Sequence, residues 1–299
     1  MEQENYHEPV LLNEAVNFLL QNKDSILSKI FVDGTLGGGG YSKKILEQTE
    51  DDTNLIIIDK DIFSIEYNKK YLKNFLHRII FCEDNFSNIS SILNSSLKKF
   101  NKEKISGFVL DLGLSSYQLN FEDGFSYQKD TPLDMRADKS QSFTAREMLN
   151  DYKEDELMNV LKNYGELKYS RKIAKDIVYY REKNELKTTN DLVNAVKENI
   201  PPRYLNKDLS KIFQAIRIEV NDELENLKIC LNNVVDFMEK GARIVVISYH
   251  SLEDRIVKNF FRSSGKLKII TKKPQTASDA EISKNVRARS AKLRAAEIK

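Results

Sequence analysis

Up to residue 112, the apolar positions of the chain switch between two periods. Short apolar runs stand at residues 30–32, 55–58, 78–81 and 108–110. They are too short for helices, and runs without polar alternation suit strands covered on both faces. Between them, residues 41–48, 62–76 and 86–100 carry apolar side chains at helical spacing. In the last of these Ile89, Ile92, Leu93, Leu97 and Phe100 fall on one side. Strand and helix in strict alternation predict right-handed crossovers and a parallel sheet, an α/β fold.

The alternation then stops. Residues 119–211 contain no convincing strand, and charged, amphipathic helices are predicted over 144–149, 155–164, 170–183 and 190–198, with Pro201-Pro202 as punctuation. Near Asn221 the alternation resumes. A helix is predicted over 222–238, with Gly241 placed to cap its C-terminus, then a fifth strand over 243–247. A helix over 252–261 follows, and residues 267–271 and 293–298 read as a closing strand pair. The expected organisation is a discontinuous sheet domain, 1–118 plus 213–299, interrupted by an all-helical insert at 119–212.

Composition narrows the class. The chain has 299 residues, 40% of them hydrophobic and 31% charged, enough for a sizeable core under a well-solvated surface. No apolar run approaches the roughly 20 residues of a membrane span. The stretch MEQENYHEPV lacks the basic-then-apolar layout of a secretory signal, so no membrane association and a cytoplasmic location are expected. Cys82 and Cys230 stand in apolar settings and read as buried free thiols rather than a disulfide or metal pair. With three scattered histidines there is no zinc spacing, and no metal is expected. Charge is uneven: residues 266–299 hold ten Lys/Arg against three Asp/Glu in a chain of net charge +2. Either a polyanion partner or a solvated basic tail explains that.

The candidate chemistry begins at FVDGTLGGGGYSK, residues 31–43. Four of the chain's 11 glycines stand there in a row, after the first strand and at the start of a helix. Glycine permits positive φ and removes side chains that would block a ligand, and ligands of open parallel sheets bind at the carboxyl ends of the strands. No register gives the dinucleotide fingerprint G-x-G-x-x-G, since Gly37 and Gly39 are followed by Ser42, and Gly38 and Gly40 by Lys43. A phosphate loop needs lysine where Gly40 stands. S-adenosylmethionine, which has no phosphate, remains. An acidic residue, Asp33, would open its motif. Asp59, at the end of the second strand, would accept from both ribose hydroxyls, a feature that nicotinamide enzymes share. A plain strand-to-helix turn is the other reading of the glycines.

The chain closely resembles the S-adenosylmethionine-dependent methyltransferases that modify the N4 amino group of a cytidine in small-subunit (16S) ribosomal RNA. The resemblance runs in order through YHEPVLLNEAV, FVDGTLGGGGYS, LIIIDKD, DLGLSSYQL, GFSYQKDTPLDMR, FQAIRIEVNDELENL, SYHSLEDRIVK and VRARSAKLRAAE. It implies a Rossmann-like class I methyltransferase sheet carrying an inserted, RNA-recognising helical domain. It also implies cofactor contacts at Gly39, Gly40, Tyr41, Asp59, Phe86, Asp111 and Gln118. The substrate would be small-subunit ribosomal RNA or the 30S subunit, and the enzyme a monomer or homodimer. Tyr41, Tyr117, Tyr249 and Val286 depart from the residues usual at their positions in the family.

Residue roles follow as expectations. Gly39 and Gly40 clear room for the methionine end, and Phe86 lies against the adenine. A cytosine amine is a poor nucleophile, so the enzyme gains by aligning it and by offering an acceptor for its N–H. Asp111, after the fourth strand, is the expected catalytic acceptor. Arg136, Tyr249 and His250 are candidate substrate residues. Ser251 and Asp254 read as an S-x-x-D capping box for the helix that follows. Lys168, Arg171, Lys172 and Lys175 of the insert, and the RARSAKLR segment, are candidate phosphate contacts. A nicotinamide oxidoreductase and a non-catalytic RNA-binding assembly factor are the competing readings.

Overall fold

The computed structural model describes residues 9–22, 26–113 and 123–299. Gln118 and Tyr117, singled out above, lie outside the described residues. The chain divides into two compact units, one of Met1–Ser115 with Leu224–Lys299 and one of Ser116–Glu223.

The first unit is built on a sheet. Its strands are β1 (Ile30–Asp33), β2 (Asn54–Asp59), β3 (Ile79–Glu83), β4 (Ile105–Asp111), β5 (Met238–Ser248), β6 (Leu267–Ile269) and β7 (Lys292–Ile298). Their order is β3-β2-β1-β4-β5-β7-β6. Strands β1 to β5 are mutually parallel, and β7 runs antiparallel to both neighbours. The order reverses between β1 and β4, the position at which open α/β sheets form their ligand crevice.

Helices α1 (Leu12–Leu20), α2 (Gly40–Glu47), α3 (Ile62–Tyr71) and α4 (Ile89–Lys99) belong to the first half of this unit. The second unit is helical among its described residues: α5 (Ala145–Asp151), α6 (Glu154–Asn163), α7 (Ser170–Arg181), α8 (Thr189–Val196) and α9 (Leu205–Val220). Then α10 (Glu223–Val234), α11 (Ser251–Ser263) and α12 (Asp279–Lys284) follow.

Alternate residues of a strand face opposite sides, and here both sides are covered. Val32, Ile56, Phe108 and Val246 pack with Leu93 of α4, Leu231 of α10 and Val257 of α11. Phe31, Ile57, Val109 and Val245 pack with Leu19 of α1 and Ile45 of α2. This is why the strands read as unbroken apolar runs. The helical unit has its own core, in which Met148, Leu161, Ile177, Leu192 and Ile216 meet.

Several expectations need correction. The insert does not end at residue 212. Helix α9 runs unbroken through Phe213 to Val220, and Phe213, Ile216 and Val220 are buried in the helical core, so the unit reaches Glu223. Gly241 caps no helix. Helix α10 stops at Val234, a short 3-10 turn covers Val235–Phe237, and Gly241 lies inside β5 with φ +83°. There the pairing with β4 steps from Ile105↔Met238 to Gly107↔Arg243, a bulge that only a left-handed residue accommodates easily. The third strand begins at Ile79 rather than Arg78. Arg78 is 2% exposed, and its guanidinium donates to Thr53 O at 2.7 Å, Leu46 O at 3.1 Å and Thr49 Oγ1 at 2.7 Å, tying β3 to the α2–β2 connection.

Candidate active site at the carboxyl edge of the sheet

The carboxyl ends of β1, β2 and β4 each carry an aspartate. Asp33 closes β1, and the glycine turn leaves it between β2 and β4. Gly34 N donates to Val109 O at 2.9 Å, and Leu36 N to Ile58 O at 3.2 Å. The aspartates hold this turn. Asp33 accepts from Ser42 Oγ at 2.6 Å and Thr35 N at 3.2 Å. Asp59 accepts from Gly37 N and from Asp61 N, both at 2.9 Å. The Asp111 N–H donates to Thr35 Oγ1 at 2.8 Å, and its carboxylate accepts from Gly113 N at 3.2 Å.

The glycines have a different use from the one expected at two positions. A Cβ on Gly39 would stand 1.8 Å from Asn68 Oδ1, and one on Gly40 would stand 2.2 Å from the Pro9 ring. The room these glycines make is therefore filled by the protein's own side chains. Asn68, fully buried in α3, donates to Gly37 O at 2.9 Å and Ser64 O at 2.8 Å, and so anchors the turn. At Gly37, with φ +48°, the Cβ direction is open. Gly39→Ala, with φ +78° and a displaced Asn68, is expected to cost about 2–4 kcal/mol of stability. Gly37→Ala should cost only the backbone strain, about 1–2 kcal/mol. Urea unfolding of the two variants checks this, and equal losses would refute the packing argument.

Electrostatics set these carboxylates apart. Burial pushes Asp33 up to about 7, with Asp111 and Asp59 adding repulsion. Burial also lifts Asp111 to about 6, against the opposing pull of the Gly113 N–H and the Tyr249 hydroxyl. Asp59 is raised by burial too, against the pull of two backbone N–H groups. The nearby charge of Lys60 opposes the rise at Asp59, whereas the charges that act on Asp33 are the two other carboxylates. This donor set, with open space above Gly37, fits a cationic ligand that also carries hydroxyls.

The raised values have a consequence for stability. A folded Asp33 near 7 binds a proton that the unfolded chain releases near 3.8. The native state thus holds more protons between those values, and stability falls as pH rises through that window. For Asp33 the loss approaches roughly 4 kcal/mol. The melting temperature of the ligand-free protein is expected to fall between pH 5 and 7.5. Asp33→Asn should flatten that slope. An unchanged slope in the variant would show that Asp33 is not the group responsible.

Beyond β5 the chain turns into α11, and its cap differs from the expected one. The N-cap is His250, not Ser251, and the partner is Glu253. Glu253 accepts from Tyr249 N at 2.8 Å and His250 N at 3.3 Å, and lies 3.1 Å from His250 Nε2. Asp254 is instead drawn away to Arg294, at 2.6 Å and 3.2 Å. The cap fixes Tyr249, whose ring lies against Gly113. A Cβ on Gly113 would come within 2.8 Å of the ring. Gly113 is what lets Tyr249 approach Asp111. Tyr41 is buried, donates from its hydroxyl to Val10 O, and stands beside Asp111. Phe86 opens a short 3-10 turn after β3, partly buried against the core.

The structure thus brings Gly39, Gly40, Tyr41, Asp59, Asp111, Tyr249 and His250 to one edge of one sheet. Arg136 belongs to the helical unit and is engaged within its own loop. It donates to both Asp134 carboxylate oxygens, at 2.8 Å and 3.0 Å, and to Gln141 O at 2.6 Å. Sequence reasoning passed over Asn68 and Glu253. An asparagine four residues after Ser64 on the buried side of α3, between Ile65 and Leu72, is the signal that would have found the first.

Residues 4–299 match the model of the MraW methylase family. The chain belongs to that family. Its relatives span the whole length. A ribosomal RNA small subunit methyltransferase H of Caldicellulosiruptor saccharolyticus is 43% identical, with 97% of this chain and 98% of that protein covered. Proteins of the same name from Hydrogenobaculum sp. and Sulfurihydrogenibium sp. are 44% and 42% identical, with at least 96% of each chain covered. The chain is thus a methyltransferase, as its resemblance to that family implies. Among the described residues no helix is long and apolar enough to cross a membrane.

Proposed function

We propose that this enzyme transfers a methyl group from S-adenosylmethionine to the N4 amino group of a cytidine in 16S ribosomal RNA, acting in the cytoplasm. The observation that carries the reading is the set of three carboxylates, Asp33 buried and Asp59 and Asp111 half-buried, gathered at the switch point of the sheet. The relatives' name, ribosomal RNA small subunit methyltransferase H, supplies the substrate class. S-adenosylmethionine, when bound, supplies an electrophilic methyl on a sulfonium centre.

The chain's own residues would do the rest. Asp59 offers carboxylate lone pairs to a ribose diol while two backbone N–H groups keep it oriented. Phe86 gives an aromatic face at the end of β3, suited to an adenine ring. Asp33 and the turn hold the amino-acid end. Asp111 accepts an N–H of the cytosine amine and stabilises the positive charge that grows on it. With Asp111 raised to about 6 it is ionised at neutral pH yet basic enough to take the proton released after transfer. Tyr249, locked over Gly113, orients that carboxylate. The helical unit adds exposed Lys168, Arg171, Lys172 and Lys175 beside exposed Tyr169 and Tyr179, a surface suited to RNA.

The test is methyl transfer from labelled S-adenosylmethionine to small subunits lacking the modification, with nucleoside analysis. N4-methylcytidine is the expected product. Binding of S-adenosylmethionine without transfer would keep the cofactor and remove the substrate. Binding of a nicotinamide dinucleotide instead would reinstate the oxidoreductase.

A further inference from the structure

Eight of the ten basic residues of 266–299 fall into two groups that the sequence does not separate. One group is consumed by the fold. Arg294 pairs with Asp254 at 2.6 Å, Lys292 with Asp254 at 3.6 Å, Lys268 with Glu297 at 3.7 Å, and Lys266 with Asp236. The other group, Lys272, Lys273, Lys284 and Arg289, is exposed and makes no ion pair among the described residues.

Topology says where the second group stands. Strand β7 is antiparallel to β5, with Ser248↔Lys292 as the pair at the carboxyl end of β5. The chain entering β7, including α12 and the 3-10 turn Val286–Ser290, therefore lies at the carboxyl edge of the parallel strands, where the aspartates are. Strand β6 runs toward the same edge, and the connection that follows keeps climbing: Thr271 N bonds Ala295 O at 3.2 Å, and Gln275 N bonds Leu293 O at 2.9 Å. Two anchors hold this segment. Glu281 accepts from Leu11 N at 2.7 Å, and Arg287 lies half-buried beside the Tyr249 hydroxyl. Asp279 and Glu281 are its acidic residues, and the second is occupied by Leu11.

We propose that the segment 272–289 is the docking rim for the sugar-phosphate backbone next to the target cytidine. Arg287 is the innermost contact, next to Tyr249, and Lys272, Lys273, Lys284 and Arg289 are the outer ones. The inference rests on the methyltransferase reading above and adds where the RNA backbone is held. The argument is charge complementarity. Four unpaired cations are concentrated on the one part of the basic stretch that borders the acidic reaction centre. Carboxylates there would repel RNA phosphates, so a basic rim is what lets a polyanion approach them.

The experiment compares Lys272→Ala/Lys273→Ala and Lys284→Ala/Arg289→Ala with Lys268→Ala, an ion-paired lysine outside the rim. The probe is small subunits lacking the modification, with affinity measured at several salt concentrations and S-adenosylmethionine affinity measured separately. Each rim pair is expected to weaken subunit binding about tenfold and to lower the slope of log affinity against log salt by roughly 1–2. Cofactor affinity should stay unchanged, and Lys268→Ala should behave as wild type. Wild-type affinity in the rim variants would overturn the proposal. Weaker binding with an unchanged salt slope would also overturn it, because the contact would then be to protein rather than phosphate. A wild-type enzyme that binds S-adenosylmethionine yet neither binds nor methylates the subunit would overturn the subunit as substrate, an outcome the variants cannot mimic.

Discussion

Asp111→Ala is expected to reduce methyl transfer by roughly 10³-fold or more while the protein stays folded. Asp111 sits at the end of β4, and its backbone N–H bonds Thr35 of the turn, a bond that alanine retains. The carboxylate accepts from Gly113 N and from the Tyr249 hydroxyl, neither of which holds an element of the sheet in place. Removing it also relieves a buried charge whose ionisation the fold opposes, so the melting temperature should not drop at neutral pH. The kinetic loss would lie in kcat more than in the affinity for S-adenosylmethionine, because the acceptor acts mainly as charge develops on the amine. Asp111→Asn refines the test. It keeps an acceptor oxygen but cannot take a proton, so activity between that of alanine and wild type would separate orientation from proton acceptance. Near-wild-type turnover in the alanine variant would remove Asp111 from the mechanism.

Asp59→Ala is expected to weaken S-adenosylmethionine binding by about 10²- to 10⁴-fold, the loss of two charge-assisted hydrogen bonds to a diol. Two effects would add. The ribose loses its acceptor, and Gly37 N and Asp61 N lose theirs, which loosens the turn that α2 grows from. Calorimetric titration reads the first effect. To isolate it, 2′,3′-dideoxy-S-adenosylmethionine can be titrated against both proteins. Wild type should lose most of its advantage with that analogue. A variant that still lost 10²-fold against the analogue would place the whole effect in the turn.

The sheet was legible because both of its faces are covered. Runs such as LIIID at 55–59 have no solvent side, and that makes them read as strands without alternation. The site was legible where its residues end strands, as Asp33, Asp59 and Asp111 do. Three things were not. Helix α9 has its stripe at Leu209, Ile212, Phe213, Ile216 and Val220, yet no helix is expected there from the sequence, and the expected boundary at 212/213 falls inside it. Gly241 follows a helical pattern at a distance that suits a cap, and nothing local distinguishes a cap from a bulge, because the bulge is defined by the partner strand β4. The use of Gly39 and Gly40 depends on Asn68 and Pro9, which are brought to the turn only by the fold. The division of the basic stretch into paired and unpaired cations likewise depends on acids far off in sequence, Asp236 and Asp254.

The position of β7 also bears on how the protein is made. It is the last strand in chain order, but it lies between β5 and β6. During synthesis β5 emerges well before residue 292, and for on the order of several seconds its outer edge has no partner. In that interval the nascent sheet presents an open, strongly apolar margin, the kind of surface on which strands of other chains add. Translation products that stop before β7 would keep that margin. They would also leave the rim without the strand that Thr271 and Gln275 bond to, and a cell should clear them by aggregation or proteolysis rather than tolerate them as partly active enzyme.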